Sequence, residues 1–355
     1  MSKYMENATR AFERLRTKKD VTILAIESSC DETAVSVVKN GRIVLSNVVA
    51  SQIDIHKKFG GVVPEVASRN HVMAIAGCYK EALSKANIKE SDLDAIAVTY
   101  GAGLIGALLV GINFAKTIAY ALNLPLIAVS HVHGHISANY LSYETLVPPF
   151  ICLMVSGGHT ALLKVEDYTK MTLIGSTVDD SVGECFDKVA RVLGLSYPGG
   201  PNIDRLAKSG QNIVKFNYHE PLKDSFNFSF SGLKTAVVNF VHNHEQAGKE
   251  FSKADVAFSF QELVTDELTE KAVRCCLQEN ESHLVVAGGV GANSRLREKL
   301  SEKCQNNGIT VYFPTLNYCT DNAAMIGSMA YYYLKSGIGL SDLTLTGKPN
   351  VPISI

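Results

Sequence analysis

A chain of 355 residues is longer than one compact core usually accommodates and points to two domains with room for a large interior. Its 34 basic and 35 acidic residues nearly cancel, which excludes a wholesale electrostatic footprint for nucleic acid, so a polyanionic partner would need a local patch or another subunit. Eight cysteines without a CxxC pair, of which only Cys275 and Cys276 are adjacent, speak against a zinc ribbon and a secreted disulfide framework and predict reduced thiols in a cytoplasmic protein.

The first 20 residues set Arg10, Arg14, Arg16, Lys18 and Lys19 against Glu6 and Glu13, with no apolar core for a signal peptide. They read as an exposed helix or a frayed tail. Val21 to Ile26 is a short apolar run that stops at Glu27-Ser28-Ser29-Cys30-Asp31-Glu32-Thr33, after which Ala34 to Val38 alternate into a second strand ending at Asn40-Gly41. A similar arrangement returns about 128 residues later, counting from Ser28 to Ser156: Phe150 to Val155 is apolar, Ser156-Gly157-Gly158-His159-Thr160 is the turn, and Ala161 to Val165 resumes the strand. The chain therefore looks duplicated. Two turns rich in Ser, Gly and Thr can aim backbone N–H and hydroxyl groups into a shared cleft and hold phosphate oxygens there, although each alone is also what an ordinary hairpin offers.

Leu93 to Val98 reads as a buried strand, and Gly101-Ala102-Gly103-Leu104-Ile105-Gly106 opens an apolar helix through Lys116 to about Leu122. Leu124 to Val129 is the next strand, and it delivers His131-Val132-His133-Gly134-His135 at its carboxyl end, where open α/β sheets place ligands. On a helix, His131 and His135 stand one turn apart on one face and His133 points away. A zinc- or iron-type ion on that pair needs a third protein ligand, and Asp321 in Cys319-Thr320-Asp321-Asn322 is available. Histidines that merely pack, and an Asp321 that merely balances a helix dipole, satisfy the same spacing. Tyr140 to Pro149 is a plausible crossing between lobes.

Downstream, Asp179 to Lys188 enters a helix that runs to Leu193, and Tyr197 to Asp204 reads as a rigid turn with two glycines. Asp187 and Asp204 could accept from ribose hydroxyls, or cap helices and bridge charges. Phe226 to Phe230 leads into a helix at Ser231. The strand Leu284 to Ala287 ends in Gly288-Gly289-Val290-Gly291-Ala292-Asn293 before a helix from Arg295 to Lys303, with Asn293 able to pair with a base or ribose. Thr320 is the expected N-cap of a helix over Ala323 to Tyr333, with Asp321 in its first turn, and the tail from Leu343 is extended.

From Val21 to the C-terminus the chain resembles the universal tRNA threonylcarbamoyladenosine transferases, TsaD in bacteria, earlier described as O-sialoglycoprotein endopeptidases. The resemblance runs in order through Ile26 to Thr33, Gly60 to Glu65, Ala67 to Arg69, Ser130 to His135, Val155 to Thr160, Gly183 to Lys188 and Pro198 to Pro201. It continues through Phe228 to Ala236, Ser259 to Gln261, Gly288 to Asn293 and Cys319 to Asn322. It implies an α/β, actin-like or sugar-kinase-like (ASKHA) fold of two duplicated ribonuclease-H-like lobes. These would be residues 21–145, joined by a C-terminal segment of about 335–355, and residues 146–334, with 1–20 as an extension. It further implies transfer of the threonylcarbamoyl group from threonylcarbamoyl-AMP to N6 of the adenosine 3′ of the anticodon, in tRNAs reading codons that start with A.

By that resemblance the metal ligands fall on His131, His135 and Asp321, for one divalent ion per subunit, iron (Fe2+) with zinc (Zn2+) as the alternative. The nucleotide contacts fall on Met154, Val155, Ser156, Gly157, Gly158, Asp187, Gly200, Asp204 and Asn293, and catalytic acids on Asp31 and Glu32. Implied partners are tRNA, a TsaB-like paralogue and a TsaE-like ATPase, with no membrane. One departure is Ala102, where the family usually has proline, which bears on the rigidity of that turn. The alternatives are a metal-dependent glycoprotein endopeptidase, which lacks the HExxH glutamate because Val132 stands there, and an ATP-dependent kinase of the same superfold, which leaves the histidines unexplained.

Overall fold

A computed structural model describes residues 2–354. Its N-terminal helix α1 (Lys3–Thr17) is no frayed tail. Tyr4, Ala8, Phe12 and Leu15, spaced four, four and three apart, form one buried face, and Ser2 caps the start by accepting from Met5 N. Full burial of Phe12 and Leu15 contributes about 1.5–3 kcal/mol each, enough to dock a helix whose other face is charged.

Strands β1 (Thr22–Glu27), β2 (Glu32–Lys39) and β3 (Ile43–Ser51) form an antiparallel meander. Asn40 and Gly41, at φ 55° and 71°, make the tight turn whose twist suits paired strands. After the short helix α2 (Ile53–His56) and the long α3 (Pro64–Ala86), β4 (Ala95–Gly101) pairs in parallel with β1. Helix α4 (Ile105–Leu122) then leads to β5 (Leu126–Ser130), parallel to β4, and to α5 (His131–Ser142).

The second lobe repeats the plan. β6 (Phe150–Val155), β7 (Thr160–Asp167) and β8 (Lys170–Ser176) are the meander, followed by α6 (Val182–Val192), α7 (Gly199–Ala207), α8 (Ser231–Gln246) and α9 (Lys253–Glu279). Then come β9 (His283–Ala287), parallel to β6, α10 (Ser294–Asn306), β10 (Thr310–Tyr312), parallel to β9, α11 (Leu316–Cys319), α12 (Ala323–Ser336) and β11 (Leu340–Ser341). The sheet orders are β11-β5-β4-β1-β2-β3 and β10-β9-β6-β7-β8, so apart from β11, added at the edge of the first, each sheet runs fifth, fourth, first, second, third of its lobe's strands. That shared order is the duplication expected from the two turns.

Helices α3 and α4 cover the outer face of the first sheet and α6 to α10 that of the second. Between the sheets stand α5 and α12, in one core joining Ile23 and Ala25 to Cys152 and Met154. The sequence reading put residues up to 334 in the second lobe, whereas α12 lies against β1 and β2, its Gly327 so close to Ala25 and Val38 that a side chain there would collide. Helix α4 is the one described helix long and apolar enough to cross a membrane, but its Leu108, Ile112, Ala115 and Ala119 are core residues under the first sheet. The expected rigid turn over Tyr197 to Asp204 is instead the start of α7, with Pro201 in the first helical turn, where the missing N–H breaks no bond. All eight cysteines are free thiols.

Candidate active site and metal centre

The carboxyl ends of both sheets face one cavity of about 560 Å³ between the lobes. On the first-lobe side β1 ends at Glu27 and β5 delivers His131 at the first position of α5. The His131 and His135 rings meet edge to face with centroids 4.6 Å apart, and their Nε2 atoms lie 3.5 and 3.1 Å from Asp321 Oδ1. One donor atom from each of the three lies within 4.8 Å of the others, which suits a single ion.

Two observations test that fit. His135 is 2% exposed, and neither of its ring nitrogens makes a hydrogen bond among the described residues; Nε2 approaches Asp321 without the alignment of one. An orphaned buried group of this kind costs about 1–3 kcal/mol, which a metal bond to Nε2 would offset. His131, in turn, has Nδ1 3.1 Å from both Glu27 Oε2 and Ser29 Oγ. Glu27 is fully buried and also accepts from Thr99 Oγ1 at 2.6 Å and Ser29 N at 2.5 Å. A carboxylate behind Nδ1 fixes the proton there and leaves the Nε2 lone pair for a metal. The residues therefore fit a divalent ion of the zinc or iron type.

Helix packing holds the ligands in place. Val132 is in the shared core, Gly134 lets α5 approach Ile326 of α12 at a distance no side chain would permit, and Ser137 Oγ donates to Met325 O at 2.7 Å. Asp321 precedes α12 rather than lying in its first turn. Asn322, not Thr320, is the N-cap, its Oδ1 accepting from Met325 N at 3.0 Å. Asn caps as well as Thr does, and capping by Asn322 leaves the Asp321 carboxylate free.

The electrostatics follow. Burial opposes the charge on His131, but Asp321 and Glu27 outweigh it and raise its pKa to about 9; burial likewise works against ionised Asp321, yet His131 and His135 hold it down at about 2. A metal must displace the His131 proton. Loading is therefore expected to release one proton and weaken by up to about tenfold per pH unit below 9, close to 100-fold between pH 8 and pH 6. Chelator competition across that range checks it, and a flat profile would contradict it.

On the second-lobe side the turn Ser156-Gly157-Gly158 joins β6 to β7. Gly157 and Gly158 are exposed to the cavity, with open space where side chains would project. Behind them the backbone is tight: a Cβ on Gly183 would stand 2.6 Å from Ser156 O, and one on Gly288, at φ 96°, 2.5 Å from Val155 O. Gly157→Val should accordingly fill the cavity with stability kept and, if the turn holds phosphate as the family resemblance implies, weaken adenylate binding at least about tenfold, whereas Gly183→Ala should cost about 1–3 kcal/mol of stability. Calorimetric titration and thermal melts separate the two.

The other expected contacts are placed unevenly. Ser156, Asp187, Gly200, Asp204 and Asn293 line the cavity. Asp187 Oδ1 accepts from Gly199 N at 2.6 Å, and burial raises its pKa; Asp204 accepts from Ser294 Oγ at 2.7 Å. Asn293 caps α10 through Leu296 N and donates to Gln261 Oε1, both at 2.9 Å, so its amide already has structural duties. Met154 and Val155 lie off the cavity lining and are fully buried, their side chains pointing from alternate faces of β6 into the two cores, so any ligand contact there would be made by backbone atoms. Across the cleft, Asp31 Oδ2 accepts from Tyr197 OH at 3.2 Å. Glu32, half-buried, is pushed up to about 10 by loss of solvent and by the nearby Asp321 and Asp31 charges, a shift that a cation on the triad would oppose.

Sequence reasoning missed Glu27, Tyr197, His159 and the tail residues Pro349 and Asn350. His159 is driven down to about 4 by burial and by His131 and His135, which makes it a neutral imidazole on the cavity wall. Its place after the two glycines was the available signal, as was an acid ending an apolar strand for Glu27.

Two duplicated α/β lobes closing on a glycine turn and a histidine–carboxylate triad that could hold a metal ion define an actin-like fold. Solved structures share that fold: HypF of T. kodakarensis at TM-score 0.63, 15% identity, covering 92% of this chain and 49% of that one. Component A of the (R)-2-hydroxyglutaryl-CoA dehydratase of Acidaminococcus fermentans does so at TM-score 0.53, 15% identity, 89% and 98% coverage. The family model TsaD, tRNA N6-adenosine threonylcarbamoyltransferase, matches residues 43–328. Curated relatives of that name are 55% identical over 333 residues in Clostridium perfringens, covering 93% of this chain and 97% of that one, and 54% identical over 340 residues in Clostridium novyi, covering 94% and 98%. The chain belongs to the tRNA N6-adenosine threonylcarbamoyltransferase family, and is thus a tRNA-modifying acyltransferase.

Proposed function

We propose that threonylcarbamoyl-AMP binds with its phosphate against Ser156-Gly157-Gly158 and its adenosine among Asp187, Gly200, Asp204 and Asn293, which puts the acyl group toward His131, His135 and Asp321. The observation that carries this reading is the opposition of open glycine backbone and a triad of donor atoms across one cavity. The adenine N6 of tRNA, at the adenosine 3′ of the anticodon in tRNAs reading codons that start with A, attacks the carbamoyl carbon. The N–C bond forms, the C–O bond to phosphate breaks and AMP leaves with that electron pair. Asp31 offers a carboxylate oxygen for the N6 proton, and Glu32 beside it donates a hydrogen bond when protonated. Alignment of an already activated anhydride supplies most of the acceleration, and no covalent enzyme intermediate is needed. His131, His135 and Asp321 would hold a divalent ion, iron in preference to zinc, which would supply Lewis-acid polarisation.

The near-neutral charge supports the further proposal that tRNA docks with help from a TsaB-like paralogue and a TsaE-like ATPase, in the cytoplasm. We divide the chain as an extension 1–20, a first lobe 21–145 joined by 335–355, and a second lobe 146–334, with α12 shared between the sheets. The peptidase alternative is disfavoured because Val132, where a zincin has its glutamate, is fully buried in the core. The test offers the adenylate, tRNA, the partner subunits and a sialoglycoprotein together. AMP release that depends on tRNA, with the glycoprotein intact, is expected; tRNA-independent AMP release or glycoprotein cleavage would overturn the proposal.

A further inference from the structure

The C-terminal tail is a strap laid across the site. Lys348 N donates to Tyr100 O at 2.8 Å and Gly103 N to Pro349 O at 3.1 Å, which fastens the strap to the first lobe at the end of β4. Val351 packs so tightly on Gly101 that a Cβ there would stand 2.7 Å from its Cγ1. Further on, His133 Nε2 donates to Ile353 O at 2.6 Å, its Nδ1 facing Tyr333 OH at 2.5 Å, and Leu173 N of β8 donates to Ser354 Oγ at 3.1 Å. The strap thus touches the first lobe, the metal-ligand helix between its two ligating histidines, and the second lobe.

Between these anchors Pro349 and Asn350 form part of the cavity wall. Their side of the cavity is fixed by neighbours. Gly103, bonded to Pro349, approaches Ser29 so closely that a side chain would collide, and Ser29 Oγ lies 3.1 Å from His131 Nδ1. Asn350 thus follows directly on a residue fastened to the triad's side of the cavity. Asn350 is exposed on that wall, and no hydrogen bond to another described residue occupies its carboxamide, so both donor and acceptor are open to solvent or a ligand.

We propose that Asn350 is a substrate-binding residue that recognises the polar end, hydroxyl or carboxylate, of the carbamoylated amino acid, with the strap Lys348–Ser354 holding it in place. The inference rests on the adenylate reading above, since only a ligand with its phosphate on the glycine turn brings an acyl group to this wall. A carboxamide bonded to the hydroxyl would discriminate against aliphatic amino acids, whereas one bonded to the carboxylate, which every amino acid carries, would add affinity for the acyl end without discriminating between side chains; neither drives the chemistry.

Calorimetry with the full chain separates the two ideas, using a non-hydrolysable threonylcarbamoyl-adenylate and AMP as probes. Asn350→Ala should weaken the acyl-adenylate roughly tenfold and leave AMP within about twofold, with Asn350→Asp weakening it further by repelling the carboxylate. A valine-derived analogue that keeps the carboxylate tells which group is read. Bound metal, measured alongside, should stay at the wild-type level. Wild-type affinity for the acyl-adenylate in both variants, with the wild type binding it more tightly than AMP, would overturn the role of Asn350 alone. A wild type that binds the acyl-adenylate no better than AMP would remove the underlying reading, and this inference with it.

Discussion

His131→Ala and Asp321→Ala are expected to lose essentially all bound metal and to stop threonylcarbamoyl transfer while leaving the fold and AMP affinity intact. Each removes one of the three proposed protein ligands, and two remaining donors would not hold a catalytic ion at cellular concentrations. Nucleotide binding should survive because the glycine turn proposed to hold it belongs to the other lobe. His133→Ala is the informative control. Its ring is buried and bonded to Tyr333 and Ile353, so the change should cost about 1–3 kcal/mol of stability through the groups left unpaired, yet metal content should stay at the wild-type level. Elemental analysis of the purified variants decides it, and equal metal in wild type and the His131 and Asp321 variants would remove the triad from the account.

Glu27→Gln should have the next largest effect, a fall in metal affinity of about 10- to 100-fold at nearly unchanged size. Glu27 accepts from Ser29 N, Thr99 Oγ1 and, through Nδ1, His131. An amide has only one acceptor oxygen, so its NH2 must face one of these donors. If it faces the imidazole, Nδ1 becomes the acceptor and the proton moves to Nε2, where the metal should bind. Chelator titration at fixed pH measures the change, and wild-type affinity would show that the buried carboxylate serves packing alone.

Glu27 also marks where the sequence stops being legible. The strand it ends, the turn after it and the repeat of both at Ser156 were readable because period-two alternation and glycine placement are local signals. So was the one-turn spacing of His131 and His135. That Asp321 reaches them depends on α5 and α12 packing through Gly134, a contact between residues nearly 200 positions apart; the sequence offered Asp321 only as an available carboxylate, and the family resemblance assigned it. Met154 and Val155 sat within a correctly read strand, but a motif match does not tell backbone neighbours of a ligand from side chains aimed into two cores. Residues 3–17 looked polar because a narrow apolar stripe is diluted by charges, and the tail gave no periodicity at all, being held by single hydrogen bonds to scattered partners.

The central claim is that this cavity moves a threonylcarbamoyl group from an adenylate to tRNA with the help of a metal on His131, His135 and Asp321. Mass spectrometry of nucleosides from tRNA treated with adenylate, partner subunits and either metal-loaded or metal-stripped protein tests it most directly. The account predicts threonylcarbamoyladenosine next to the anticodon with loaded protein, and product falling to background after stripping and returning on reloading. Full modification by the stripped protein would contradict the role of the metal, and no modified nucleoside from the loaded protein would contradict the transfer itself.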